Sequence, residues 1–137
     1  IAEIGSPAFK ACMDINIEPK SDSPEHARKV AEASRSVQSH SHMNGELARN
    51  AEGRVELIAG GYFDKHFWGR KVAYPEYVEA LVENGYQGYL NWEFCHPAME
   101  KGTPAGIDYV HRQTEMAREY LFALRETAER KAAAMSA

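Results

Sequence analysis

Three short apolar segments of this chain each end in a side chain that could bind a metal ion. The segments are residues 9–14, 37–42 and 89–94, and they end with Asp14, with His42 and with Glu93 followed by Phe94. One imidazole and two carboxylates make a plausible oxygen-and-nitrogen site for a divalent ion. We therefore expect Asp14, His42 and Glu93 to be metal ligands.

Helical patterns separate these segments, so the chain reads strand, helix, strand, long loop, helix, strand, helix. Alternation of this kind predicts a parallel sheet, whose ligands gather at the C-terminal ends of its strands. The helix starts are marked by Ser or Thr followed by Pro, or by Pro alone, at Ser23–Pro24, Pro75 and Thr103–Pro104. We expect Gly85 to end the second helix and the Ala-rich tail after Lys131 to fray.

Strand alternation predicts which side chains share a face of the sheet. It places Gln38, His40 and His42 on one face, and Asn91 with Glu93 on the corresponding face of the third strand. Buried polar groups need a partner, a ligand or water. Residue spacing leaves two readings open: a metal site, or polar residues that hydrogen-bond to one another at the strand ends without a metal.

Residues 44–73 form the least regular part, rich in glycine and aromatic residues. A loop of this length is usually a lid or a binding loop, or it contains a short element. Its aromatic residues would form either a small private core or a platform for a sugar, and they are Tyr62, Phe63, Phe67 and Trp68. The isolated histidines are expected to be surface or packing residues, namely His66, His96 and His111.

Length and composition fit one domain of 137 residues with a formal net charge of −4. A negative charge disfavours nucleic acid as the main partner, and we expect no membrane span and no signal peptide. Cys12 and Cys95 lie on different segments without a metal-binding or disulfide spacing. We expect two free thiols and a cytoplasmic location.

Three stretches together resemble the xylose-isomerase-like TIM barrels, the sugar isomerase/epimerase superfamily. Residues 12–16 (CMDIN) resemble strand 6 of that family, and residues 39–46 (SHSHMNGE) resemble its strand 7. Residues 74–93 are similar to its passage from helix 7 to strand 8, with the Gly-Tyr-x-Gly turn at 85–88. The resemblance implies an α/β fold in which residues 1–137 are the C-terminal part of a (β/α)8 barrel, with its last three strands and a long loop at 44–73.

The resemblance also implies a function. Asp14, His42 and Glu93 would bind a divalent ion, most simply Mn²⁺ with Mg²⁺ or Co²⁺ as alternatives, and Glu93 would also transfer a proton next to the carbonyl of a sugar or keto-sugar. His40, Asn16 and Arg49 would contact the substrate, with His40 deeper along the strand than His42.

Two departures leave other functions open. A first metal-binding Glu and five strands of the family's barrel have no counterpart here, so we expect further polypeptide to complete the barrel, an oligomer, and no activity in the isolated piece. Ile17 stands where the epimerases have a substrate-binding His. A lyase, a catalytic subunit of a C-glycoside deglycosidase and a non-catalytic structural subunit remain alternatives, and a metal nuclease is disfavoured by charge and sparse ligands.

Overall fold

A computed structural model of the protein describes residues 6, 8, 10–17, 19–59, 71–94, 99–100 and 103–136. These residues form a mixed α/β structure of seven strands and three helices, with a single 3-10 turn at Ile15–Ile17. In chain order the elements are β1 (Ala11–Asp14), α1 (Pro24–Ser34), β2 (Gln38–Met43), β3 (Glu46–Arg49), β4 (Val55–Ala59), α2 (Tyr74–Glu83), β5 (Tyr89–Trp92), β6 (Met99–Glu100), β7 (Thr103–Pro104) and α3 (Ile107–Met135).

The three strands predicted to carry the site form one parallel sheet in the order β1-β2-β5. Asp14 is in register with His42, and His42 is in register with Asn91. The ladder extends one residue past β5, because the Glu93 amide donates a hydrogen bond of 2.9 Å to the Met43 carbonyl oxygen. Parallel pairing of these segments, predicted from the strand–helix alternation, is therefore confirmed.

Helices cover one face of this sheet and create the core. Tyr74, Tyr77 and Leu81 of α2 are almost completely buried, together with Met43 of β2. Helix α2 lies between α1 and α3, and Glu79 connects all three by pairing with Arg28 and with Lys131. No helix in the described part of the chain is long and apolar enough to cross a membrane.

The ends of the helices follow local signals in part. The Ser23 hydroxyl accepts a hydrogen bond from the His26 amide at the start of α1, and Gly85 has a φ of +75° just after α2, as expected. The prediction that Thr103–Pro104 starts the last helix is wrong, because these residues pair with Met99–Glu100 and α3 begins at Ile107. The tail continues as helix to Met135 rather than fraying from Lys131, in keeping with the high helix propensity of alanine.

Part of the predicted long loop at 44–73 is a β-hairpin. Strands β3 and β4 pair antiparallel, and Asn50 Oδ1 closes their turn by accepting hydrogen bonds from the amides of Glu52 and Arg54. The hairpin is held against α3 by Gln113, whose side-chain amide bonds both the N–H and the carbonyl of Leu47. The predicted aromatic cluster of this loop lies outside the described residues.

One residue of β2 lies on the opposite face from the one predicted. The register between β1 and β2 shifts after Ala11, so Gln38 and His40 pair with successive residues of β1. Gln38 is 7% exposed and bonds Ser34 and Tyr77 in the helical layer, whereas His40 is exposed. The shared face predicted for Gln38 and His40 is wrong because a β-bulge interrupts strict alternation.

Candidate metal centre

Asp14, His42 and Glu93 meet at the C-terminal edge of the parallel sheet. Asp14 is the last residue of β1, His42 the last but one of β2, and Glu93 follows β5 directly. One ligand atom from each residue lies within 4.8 Å of the other two. The convergence predicted from the strand alternation is therefore found in the structure.

The three side chains are half-buried, and two of them are in direct contact. His42 Nδ1 lies 2.6 Å from Glu93 Oε2. This contact turns one Glu93 oxygen towards the imidazole and keeps the carboxylate at the centre of the group. Asp14 lies on the other side of His42, in register with it on β1.

The Asp14 carboxyl group has an unmet need for a partner. Its Oδ1 atom is buried and accepts no hydrogen bond from any residue of the described ranges. Burial raises the pKa of Asp14, and the nearby Glu93 carboxylate raises it further, while His42 and a hydrogen bond from Asn16 lower it. The pKa of the Cys12 thiol is also raised, first by burial and then by Asp14 and Glu93. A concentrated negative charge of this kind is stabilised by a bound cation or by a proton.

The donor set fits a small divalent ion. Two carboxylates and one imidazole suit Mn²⁺, Mg²⁺ or Co²⁺, and the site offers no thiolate to favour a softer ion unless Cys12 takes part. Metal–oxygen and metal–nitrogen bonds of about 2.0–2.6 Å require ligand atoms separated by roughly 3–5 Å. The observed grouping within 4.8 Å meets that requirement without rearrangement of the backbone.

His40 and Asn16, both predicted to contact substrate, lie close to the triad in the fold. Each is two residues from a triad residue of its own segment, His40 before His42 and Asn16 after Asp14. His40 Nδ1 is 2.8 Å from Ser39 Oγ, and its ring lies 5.5 Å from that of Tyr89.

Arg49, the third predicted substrate contact, is engaged elsewhere. Its guanidinium group bonds both carboxylate oxygens of Glu119 on α3, at 3.0 and 2.6 Å, and also the Gly53 carbonyl oxygen. This arrangement gives Arg49 the role of fastening the hairpin to α3, and it gives the predicted substrate contact no support. His111 is exposed on α3 near Glu115, as expected for a surface histidine. His66, His96 and Cys95 lie outside the described residues.

Sequence reasoning missed one polar residue beside the triad, Asn44. It directly follows β2, is 6% exposed, and its side-chain oxygen has no hydrogen-bond partner among the described residues. Its position two residues after His42 was the available signal, because residues two apart in a strand share a face. The loop predicted to begin at residue 44 drew attention away from it.

The arrangement can hold a cation and present a carboxylate to a bound molecule at the edge of the sheet. Comparisons with protein-family models, with curated proteins and with solved structures found no match. The chemistry inferred for this site therefore rests on its own residues.

Proposed function

We propose that this protein is a divalent-metal-dependent isomerase or epimerase that acts on a sugar or keto-sugar by removing a proton next to a carbonyl group. The observation that carries the proposal is the meeting of Asp14, His42 and Glu93 within 4.8 Å at the ends of three parallel strands. The buried, unpartnered Asp14 Oδ1 supports it, because a cation would satisfy that atom. The sequence resemblance to xylose-isomerase-like barrels agrees with this chemistry.

In this proposal Asp14, His42 and Glu93 are the protein's ligands for the ion, with Mn²⁺ the best candidate. A bound divalent ion supplies Lewis-acid stabilisation of the negative charge that develops on a substrate oxygen. The protein holds the three donors on adjacent strands, which fixes their spacing before the ion binds. Preorganised donors of this kind lower the cost of stabilising a developing charge.

Glu93 has a second role in the proposal, as the general base and acid. The oxygen turned towards His42 remains at the centre of the triad, and the other carboxylate oxygen is free for proton transfer. It takes the proton from the carbon next to the substrate carbonyl, and the electron pair of that C–H bond moves to give an enediolate. The protonated Glu93 then returns the proton to carbon, which balances the isomerisation.

The barrel and its completion also belong to the proposal. Within the described residues the sheet ends at β1 on one side and at β5 on the other. We infer that further strand–helix units join these edges to complete a (β/α)8 barrel and supply a fourth metal ligand. Cys12 is an exposed free thiol, and this agrees with a reducing, cytoplasmic setting.

Metal binding by the full chain is the first test. Titration calorimetry with Mn²⁺ should show binding that Asp14→Ala and His42→Ala each abolish. The matched control is His111→Ala, which removes an exposed imidazole on α3 and should bind Mn²⁺ like the unchanged protein. Equal Mn²⁺ affinity in all four proteins would refute the metal centre.

Proton exchange is the test of the reaction. The Mn²⁺-loaded protein, together with any polypeptide that completes its barrel, is incubated in D₂O with a panel of aldoses and ketoses and followed by proton NMR. Loss of the signal from the proton next to the carbonyl, abolished by Glu93→Gln, is the expected result. Cleaved products instead of isomers would favour the lyase alternative, and exchange that persists in Glu93→Gln would contradict the role of Glu93.

A further inference from the structure

Two asparagines, Asn16 and Asn44, flank the triad and are buried without complete hydrogen bonding. They are 1% and 6% exposed, and the Oδ1 atom of each has no hydrogen-bond partner among the described residues. Asn16 follows Asp14 by two residues, and Asn44 follows His42 by two residues. The pair therefore extends the Asp14–His42 pair beyond the ends of β1 and β2.

The surrounding structure holds both asparagines in place. Asn16 lies in the 3-10 turn at Ile15–Ile17, which contacts β2. Asn44 is fixed through its backbone, because its amide donates to the Tyr74 hydroxyl at 2.9 Å and its carbonyl accepts from the same hydroxyl at 3.0 Å. Tyr74 is completely buried in the core. The two side-chain oxygens are thus held next to the triad by the core of the domain.

The missing partner of each side-chain oxygen must be a hydrogen-bond donor. An amide oxygen can only accept, and leaving one buried and unpaired costs about 1–3 kcal/mol. Protein folds avoid that cost unless a ligand or a water molecule supplies the donor. Asp14 Oδ1, unpartnered in the same region, is likewise an acceptor. The ligand that fits these atoms carries several hydroxyl groups.

We propose that Asn16 and Asn44 are specificity-determining residues that accept hydrogen bonds from hydroxyl groups of a polyhydroxylated substrate bound at the triad. This inference rests on the proposed function and narrows its substrate class to compounds that have hydroxyl donors near the metal-bound end. A site built around unpaired acceptors rejects an analogue that lacks the donor, because the acceptors then stay buried and unpaired.

The test uses xylitol, a linear polyol, titrated into the full chain with and without Mn²⁺. Asn44→Leu and Asn16→Leu keep approximate side-chain volume and remove the acceptor. Each should weaken xylitol binding, relative to Mn²⁺ binding, by about tenfold, the size expected for a lost hydrogen bond with an unpaired donor. The matched control is Asn84→Leu at the end of α2, which precedes β5 and so lies at the opposite edge of the sheet; it should bind both probes normally.

Thermal unfolding without ligand gives a second readout. If the side-chain oxygens of Asn16 and Asn44 are unpaired in the free protein, the leucine variants should unfold at the same or a higher temperature. A clear loss of stability would mean that both oxygens already have partners, such as bound water, and it would overturn the proposal.

The outcomes separate the two proposals. Mn²⁺ binding without xylitol binding, or unchanged relative xylitol affinity in both leucine variants, overturns the substrate inference and leaves the metal centre intact. Absence of Mn²⁺ binding refutes the metal centre, while the xylitol titrations without Mn²⁺ still measure whether the asparagines bind a polyol.

Discussion

His40 and His42 are two residues apart on β2, yet their surroundings differ. His42 contacts Glu93 at the strand end, whereas His40 contacts Ser39 and lies against the exposed Tyr89 ring. Each strand residue advances about 3.3 Å, so His40 is set back from the triad by roughly two such steps. At the residue scale, this difference assigns His42 to the ligand set and His40 to the wall beside it.

Substituting the two histidines in turn checks this assignment. His42→Gln should lower Mn²⁺ affinity by more than about 100-fold, since even indirect partners of metal ligands change affinity by roughly 10–100-fold. His40→Gln should keep most of the affinity. Calorimetric titration of both variants is the measurement, and the reverse order of effects would show that the strand register assigned to the site is wrong.

The raised pKa of Asp14 predicts a pH dependence for the metal-free protein. Because burial and Glu93 raise its folded-state pKa above the unfolded value, the protonated form is favoured in the folded state. Its contribution to stability is present at low pH and is lost as the pH rises through the folded-state pKa. Asp14→Asn should therefore lose less unfolding free energy than the unchanged protein between roughly pH 4 and pH 7.

Urea unfolding in the presence of a chelator, repeated across that pH range, measures the difference between the two proteins. Parallel curves for Asp14→Asn and the unchanged protein would contradict the effect. Added Mn²⁺ should reverse the order at neutral pH, because the ion stabilises the folded state only where its ligands are intact.

At the scale of elements, the turn before β5 controls how closely it approaches β2. A Cβ atom at Gly88 would collide with the Ser39 carbonyl oxygen and with the Tyr86 ring. Burial raises the pKa of Tyr86 to about 12, and its hydroxyl bonds the Tyr89 carbonyl oxygen at 3.0 Å. Gly88 is thus required by backbone contact at the point where β2 changes register.

Gly88→Ala should destabilise the protein by about 1–3 kcal/mol, the usual cost of forcing extra atoms into a filled space. The matched control is Gly106→Ala, because a Cβ atom there meets nothing within 4 Å. It should change stability by no more than about 0.5 kcal/mol. Urea unfolding midpoints compare the two variants, and equal effects would show that the contact at Gly88 is relieved by small movements.

At the scale of the whole molecule, an apolar groove of about 470 Å³ lies between β5 and α3. Its lining includes Leu90, Phe94 and Leu121, and Phe122 at the groove is 58% exposed. Exposed apolar surface of this kind, next to a strand without an outer neighbour in the described part of the chain, is typical of a contact surface. It lies where a completing strand–helix unit would join the sheet.

Phe122→Ser should reduce the binding of an anilinonaphthalene sulfonate dye, since it removes exposed apolar surface from the groove. Its stability should change by no more than about 0.5 kcal/mol, as for most exposed positions. Ile107→Ser serves as the control, because Ile107 is 80% exposed and does not line the groove. Fluorescence titration measures dye binding, and an equal loss in both variants would contradict a role for the groove.

The sequence by itself determined the three parallel strands, the starts of α1 and α2, and the positions of Asp14, His42 and Glu93 along the chain. These features follow from local rules: runs of apolar residues, capping residues, and the common edge at which parallel strands end. The core positions of α2 followed in the same way, because Tyr77, Val78 and Leu81 recur at helical spacing and are buried.

Only the tertiary structure decided the distances within the triad, the face of Gln38, the contact of Arg49 with Glu119 and the burial of Asn44. A bulge arises from pairing between two strands, and the pattern of one strand does not reveal it. Arg49 and Glu119 are far apart in the chain, so their contact depends on how the hairpin meets α3. Asn44 is buried because Tyr74, thirty residues later, holds its backbone against the core, and local periodicity carries no information about a contact at that separation.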